Sequence, residues 1–169
     1  GVVYLCALLL AVSIALVYRQ CMQRSRMVIL SIGFSILAAA AASLHWLARP
    51  HLFTLLLVVV WVGLLEQLRR GDQRNWWILP VLMLVWANLH GAFIAGFVIW
   101  GAYLLEDLYQ KRVYSRSNML KAAQQHYFWH RWVNNRLLLV GGLSFLATLI
   151  NPVGIRLWGT SFGFLLNRY

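Results

Sequence analysis

The chain has 169 residues, of which 62% are hydrophobic and 11% are charged, and its mean hydropathy is +0.68. Soluble domains are about half apolar and about a quarter charged, so this composition excludes an ordinary soluble domain, a disordered chain and a disulfide-stabilised scaffold. The net charge of +11 comes from basic residues that lie between apolar runs, which favours membrane lipids over nucleic acid as partners.

Six apolar stretches follow one another along the chain, each near the ~20 residues that a helix needs to cross a bilayer. They cover residues 2–18, 27–47, 52–68, 76–89, 92–109 and 137–150, and a seventh begins at Trp158. A single helix over 76–109 would be about 50 Å long, too long for one crossing, so we split it at His90 and Gly91. The sequence therefore predicts an all-α protein: a polytopic transmembrane helical bundle of about six spans, in a single transmembrane domain over residues 1–169.

Basic residues in the connections predict how these spans are oriented, because short cytoplasmic loops are enriched in Lys and Arg. Connections 19–26, 69–75 and 110–136 carry most of the basic residues. We expect these three connections to be cytoplasmic and the Gly1 end to lie outside. Because the chain begins without Met and stops inside an apolar stretch, we also expect it to be a piece of a longer polypeptide.

The long basic connection 110–136 has features of a helix that lies at the membrane surface. Within residues 117–132, apolar side chains fall near one face, and aromatic residues stand among basic ones: Met119, Leu120, Ala123, Tyr127, Phe128, Trp129 and Trp132. Aromatic and basic residues together suit the headgroup region of a bilayer. We predict an interfacial helix there.

Tryptophan and cysteine positions fit the same topology. The residues Trp46, Trp76, Trp77 and Trp158 fall at span ends, where aromatic rings anchor a helix at the membrane interface. A helix would hold Cys6 and Cys21 more than about 20 Å apart, so they cannot form a disulfide.

Polar residues collect at the span ends that the topology places outside. They are His45, Arg49, His51, Asn88, His90, Asn151 and Arg156. The four acids, Glu66, Asp72, Glu106 and Asp107, all fall on the cytoplasmic side. Polar groups near a membrane need partners. The paired N–H donors of a guanidinium match the oxygens of a phosphate. These outer residues therefore suit a ligand with a lipid-linked phosphate or pyrophosphate. The alternative is that these residues reach to headgroups and cap helices.

Three short motifs in the same places resemble a known family. R-P-H-L-F at 49–53, W-A-N-L-H-G-A-F at 86–93 and L-I-N-P-V-G at 149–154 are similar to motifs of bacterial multi-spanning proteins related to the GT-C glycosyltransferases. The resemblance covers roughly residues 45–158. It implies a protein of the bacterial inner (plasma) membrane that transfers a sugar from a polyprenyl-phosphate carrier at the outer leaflet.

The resemblance also implies roles for individual residues. The lipid phosphate would be bound by Arg49, His51, Asn88, His90 and Arg156, with His45 and Asn151 in secondary positions. In that family a carboxylate in the first outer loop acts as general base or metal ligand. It has no counterpart here, so we expect the catalytic acid upstream of Gly1. No cofactor is evident, and no ligands for a divalent metal are identified.

Two other functions remain open from the sequence. The first is a non-enzymatic accessory or structural subunit of a larger membrane complex, a variant of which would use His45 or His90 as an axial ligand to haem or chlorophyll. The second is a transporter, since short Gly-broken spans around His90 and Gly91 are typical of discontinuous helices that line a binding site.

Overall fold

The fold is given by a computed structural model that describes residues 1–43, 51–116 and 122–165. Within these residues the chain forms only helices and turns, which confirms the predicted all-α class. The seven α-helices are α1 (Val2–Ser25), α2 (Val28–Ala42), α3 (His51–Arg69), α4 (Ile78–Leu89), α5 (Ile94–Arg116), α6 (Ala122–Thr148) and α7 (Arg156–Leu165). The chain divides into two compact units, Gly1–Gly63 and Leu64–Tyr169, with the boundary inside α3.

In the first unit, α1 and α2 bury polar side chains and expose apolar ones. The buried residues of these two helices are Ser13, Ser31 and Ser35, and each hydroxyl donates to the carbonyl four residues earlier at 2.7–2.9 Å. Tyr4 and Ile29 are each 82% exposed. Soluble proteins bury apolar side chains and expose polar ones. The reverse distribution in α1 and α2 is the one expected where lipid surrounds the helices.

A side-chain hydrogen bond links α1 to α3 within the same unit. Gln20 Nε2 donates to the carbonyl of Val59 at 2.8 Å. A Cβ at Gly63, four residues beyond Val59, would lie 2.7 Å from that nitrogen. The amide can therefore reach the helix backbone only because position 63 has no side chain.

In the second unit, α4 buries one of its faces. Leu79, Met83 and Trp86 are fully buried, and their spacing of four and three residues places them on one face. A Cβ at Gly96 in α5 would lie 2.8 Å from Met83 Cε and 2.9 Å from the Trp86 ring. The glycine thus allows α5 to approach α4 closely, as small residues do between membrane helices.

The predicted break between the fourth and fifth spans is confirmed. Helix α4 ends at Leu89, and His90 has an extended backbone with φ −158° and ψ 138°. A short 3-10 helix, Gly91–Phe93, then leads directly into α5. The chain therefore turns where the sequence places His90 and Gly91.

The helices run further than the predicted spans on the side predicted to be cytoplasmic. Helix α1 continues to Ser25 and α5 to Arg116, so most of the basic residues expected in the connections 19–26 and 110–116 lie in helices instead. The sixth span and most of the predicted interfacial helix belong to one continuous helix, α6. Arg, Lys and Gln end an apolar run but favour helical backbone, which is why hydropathy marks the limit of a span and not the end of its helix.

Three helices within the described residues are long and apolar enough to cross a membrane by length and composition. They are Val2–Ser25, His51–Arg69 and Gly91–Gln110. Three shorter apolar helices cover Val28–Ala42, Ile78–Leu89 and Asn135–Thr148. At 1.5 Å per residue, α4 is about 18 Å long and so falls short of the ~30 Å of bilayer hydrocarbon. Of the six predicted spans, three therefore have the length and composition of a crossing helix.

Candidate functional site

The polar end of the second unit is formed by the end of α4, the 3-10 helix, the turn after α6 and the start of α7. Asn88 connects two of these segments, because its Nδ2 donates both to the carbonyl of Leu84 at 2.8 Å and to the carbonyl of Ile150 at 3.0 Å. The second bond joins residues 62 positions apart. The Asn88 amide thus fixes the turn after α6 against the end of α4.

Asn151 shapes the turn in which it lies. Its Oδ1 accepts a hydrogen bond from the backbone N–H of Val153 at 2.9 Å, while Nδ2 donates to the carbonyls of Thr148 and Gly154. Gly154 has a positive φ of 58°, a conformation that favours glycine. The N-P-V-G motif therefore has a structural role here: it ends α6 and directs the chain into α7.

His90 is half-buried at the break and holds the 3-10 helix in place. Its Nδ1 accepts a hydrogen bond from the backbone N–H of Ala92 at 3.3 Å. A neutral imidazole that accepts at Nδ1 carries its proton at Nε2. His90 also lines the cavity described below.

Arg156 is the first residue of α7, and its side chain is exposed. Its guanidinium makes no hydrogen bond or ion pair with any residue that the structure describes. Thr160, one turn further along α7, donates to the carbonyl of Leu157 at 2.9 Å and lines the cavity. A flexible arginine one turn away from a cavity wall can reach a ligand at that wall.

The structure therefore gathers four of the predicted site residues, Asn88, His90, Asn151 and Arg156, at one end of the second unit. Predicted residue His51 belongs to the other unit, as the first residue of α3. Arg49 and His45 lie outside the described residues.

An open cavity of about 850 Å³ adjoins this polar end. Its volume is within the roughly 300–1,000 Å³ typical of small-molecule sites. The lining comes from the 3-10 helix, α5 and α7: His90, Gly91, Ala92, Ile94, Ala95, Val98, Ile99, Leu157, Thr160 and Ser161. Most of these side chains are apolar, and none of the described residues that line the cavity carries a fixed charge.

Two residues of α7 that line the cavity, Thr160 and Ser161, were not predicted. Hydropathy showed only that an apolar stretch begins at Trp158, and the hydroxyl groups within it give no pattern of their own. Both lie in the second turn of α7, three and four residues beyond Leu157. The signal that could have found them is this spacing, which puts all three on one helix face.

Charged residues at span ends predicted to be cytoplasmic form an ion-pair network. Arg69 pairs through two nitrogens with Glu66 at 3.0 Å and through the third with Glu106 at 3.1 Å. Arg70 also pairs with Glu66 at 2.9 Å, and the Tyr103 hydroxyl donates to the same carboxylate at 3.4 Å. The bond between Arg69 and Glu106 connects the end of α3 to α5.

Within the described residues, no group of three or more His, Cys, Asp or Glu side chains could hold a metal ion. Comparisons with protein-family models, curated proteins and solved structures found no match to this chain.

Proposed function

We propose that this chain is the membrane part of a GT-C-type transferase that takes a sugar from a polyprenyl-phosphate carrier. The observation that carries the proposal is the open, largely apolar cavity whose polar end lies beside His90 and one helical turn from Arg156. A carrier lipid has the matching form, with a hydrocarbon chain on one side and an anionic phosphate on the other.

The proposed chemistry follows from where the charges lie. In an inverting displacement the acceptor attacks the sugar carbon and loses its proton to a general base, and the bond from that carbon to the lipid phosphate breaks. Negative charge then grows on the phosphate oxygen. Arg156 stabilises this charge in the transition state, and the N–H at Nε2 of His90 donates to another phosphate oxygen. Asn88 and Asn151 hold the backbone around the site, and their predicted contact with the phosphate stays a prediction.

Native mass spectrometry of the full-length protein, extracted gently from its own membrane, tests this proposal. We expect a polyprenyl-phosphate mass to remain bound, and Arg156→Ala to weaken its retention about tenfold or more, because a charge-assisted hydrogen bond contributes about 1.5–3 kcal/mol. Arg74→Ala is the matched control, since Arg74 is an exposed arginine on the connection before α4. Equal loss in both variants, or none in Arg156→Ala, would contradict the proposal.

A second candidate function is a non-enzymatic subunit of a larger membrane complex. It is favoured by the hydrogen bonds of Asn88 and Asn151, which hold the backbone of the second unit together. If this function is correct, the same experiment finds stoichiometric protein partners and no carrier lipid.

A further inference from the structure

Ser161 differs from the buried serines of the first unit in its hydrogen bonding. It is 6% exposed, yet within the described residues its hydroxyl makes no hydrogen bond. Buried Ser35, also 6% exposed, donates to the carbonyl four residues earlier. The equivalent carbonyl for Ser161 belongs to Leu157 and already accepts from Thr160 Oγ1 at 2.9 Å. Ser161 lines the cavity, so a ligand atom there can accept a hydrogen bond from this hydroxyl without displacing a bond within the described residues.

The Ser161 hydroxyl lies where the cavity adjoins the polar end of the second unit. A Cβ at Gly91 would be 3.2 Å from Ser161 Oγ, which places the hydroxyl against the 3-10 helix that follows His90. Both residues line the cavity. Because Gly91 has no side chain, the hydroxyl can approach the backbone of the 3-10 helix this closely.

The rest of the cavity wall follows α5 away from this end. Ile94, Ala95, Val98 and Ile99 line it and cover about 7.5 Å along α5 at 1.5 Å per residue. The wall is apolar along this length. A single hydrocarbon chain laid along α5 would therefore bring its terminal oxygen to Ser161 and His90.

We infer that Ser161 is a ligand-binding residue: its hydroxyl donates a hydrogen bond to the terminal oxygen of a hydrocarbon-chain lipid that lies along α5 in this cavity. The inference rests on the proposed function for the identity of the site, and it adds the recognised chemistry, an oxygen that terminates a single chain. That oxygen can belong to an alcohol or to a phosphate ester, because the cavity wall itself supplies no cation.

A binding titration with three probes of one chain length tests the inference. The probes are farnesol, farnesyl phosphate and the hydrocarbon 2,6,10-trimethyldodecane, added to the detergent-solubilised full-length protein and followed by native mass spectrometry. We expect Ser161→Ala to weaken farnesol and farnesyl phosphate by about fivefold each, the effect of one hydrogen bond, and to leave the hydrocarbon unchanged. Ser35→Ala, which removes an equally buried hydroxyl, should change none of the three. Unchanged binding of the hydrocarbon also shows that Ser161→Ala remains folded.

The outcomes separate this inference from the proposed function. Farnesol binding that is unaffected by Ser161→Ala overturns the role of Ser161, even if Arg156→Ala still weakens farnesyl phosphate. A fivefold effect of Ser161→Ala on farnesol supports it, even if the phosphate adds no affinity and the transferase proposal fails. Ala95→Phe places a ring in the cavity and should abolish binding of all three probes; retained binding would show that they lie elsewhere and would overturn the inference.

Discussion

Trp158 illustrates how one side chain connects several helices of the second unit. Its ring centre lies 5.2 Å from Phe93, 5.0 Å from Phe97 and 5.3 Å from Phe145. The indole N–H donates to Thr148 Oγ1 at 2.9 Å, and Thr148 is fully buried at the end of α6. Aromatic pairs at such distances add about 0.5–1.5 kcal/mol beyond burial of their area. The cluster therefore holds α7, and with it one wall of the cavity, against α5 and α6.

We predict that Thr148→Val destabilises the protein although it keeps the shape of the side chain. The substitution leaves the indole N–H of Trp158 without its acceptor, which costs about 1–2 kcal/mol. Thermal unfolding in detergent should show a lower Tm than for the wild-type protein. Thr160→Val is the control, because Thr160 is exposed and bonds only within α7. Equal Tm values for the two variants would contradict the importance of the Trp158 bond.

Single residues were only partly predictable from the sequence. The motifs located Asn88, His90 and Asn151 at the breaks between helices, because Asn, Gly and Pro have strong local preferences. Their hydrogen-bond partners were not predictable, since Asn88 bonds to a carbonyl 62 positions away. The sequence likewise did not predict the aromatic neighbours of Trp158, because Phe93, Phe97 and Phe145 come from three other segments of the chain. From its position at a span end alone, Trp158 was predicted to lie at the membrane interface.

At the scale of helices, the same arrangement of donor, carbonyl and glycine occurs twice. Gln20 donates to the carbonyl of Val59, and Trp100 Nε1 donates to that of Leu137 at 2.8 Å. In both cases the residue four positions after the acceptor is a glycine, Gly63 or Gly141. Helical Cβ atoms tilt towards the N-terminus and cover the carbonyl of the preceding turn. Removing that Cβ opens the carbonyl to a second donor from a neighbouring helix.

This arrangement predicts different effects for two adjacent glycines of α6. A Cβ at Gly141 would overlap the Trp100 ring, whereas at Gly142 it would meet nothing within 4 Å. Gly141→Ala should therefore destabilise the protein by about 1–3 kcal/mol through overpacking. Gly142→Ala should be neutral or stabilising by up to about 1 kcal/mol, because alanine favours helix.

Thermal unfolding of these two variants under one condition measures the difference. The Trp100 bond to the α6 backbone should also be lost in Gly141→Ala, with a change in tryptophan fluorescence that Gly142→Ala does not show. Similar Tm values for both variants would mean that Trp100 has room to move aside.

Helix positions were more predictable than helix lengths. Apolar runs located α1, α3 and α4 to within a few residues at their starts, and the length of a single crossing placed the break at His90. The continuity of α6 was missed: the sequence predicts an interfacial helix over 117–132 and a separate span over 137–150, whereas the two stretches belong mostly to one helix. Helical propensity and membrane depth are separate properties of a residue.

At the scale of the whole molecule, the amino-acid composition and the distribution of buried side chains both fit a membrane protein. Three described helices can cross a membrane by length and composition, and α1 and α2 expose large apolar side chains while their buried residues are serines. The sequence predicted this class of protein from its high hydrophobic fraction, its low charged fraction and its succession of apolar stretches. The orientation in the membrane remains a prediction from the distribution of basic residues.

Cysteine labelling in intact cells measures that orientation. In the full-length protein with Cys6→Ser and Cys21→Ser, we predict that Arg74→Cys is reached only from the cytoplasm and Val153→Cys only from outside. Both positions are exposed in the structure, so a membrane-impermeant maleimide should react with Val153→Cys alone until the cells are opened. Labelling of both, or of Arg74→Cys alone, in intact cells would reverse or refute the predicted topology.

The buried serines of α1 and α2 have a thermodynamic consequence. Burial of apolar surface from water is what gives protein association its large heat-capacity change and its weakening in the cold. When these two helices separate in a bilayer, their apolar side chains stay in hydrocarbon throughout, and the surfaces that part carry hydroxyls already bonded to their own backbone. The contact between α1 and α2 should therefore have a heat-capacity change near zero and should not weaken on cooling.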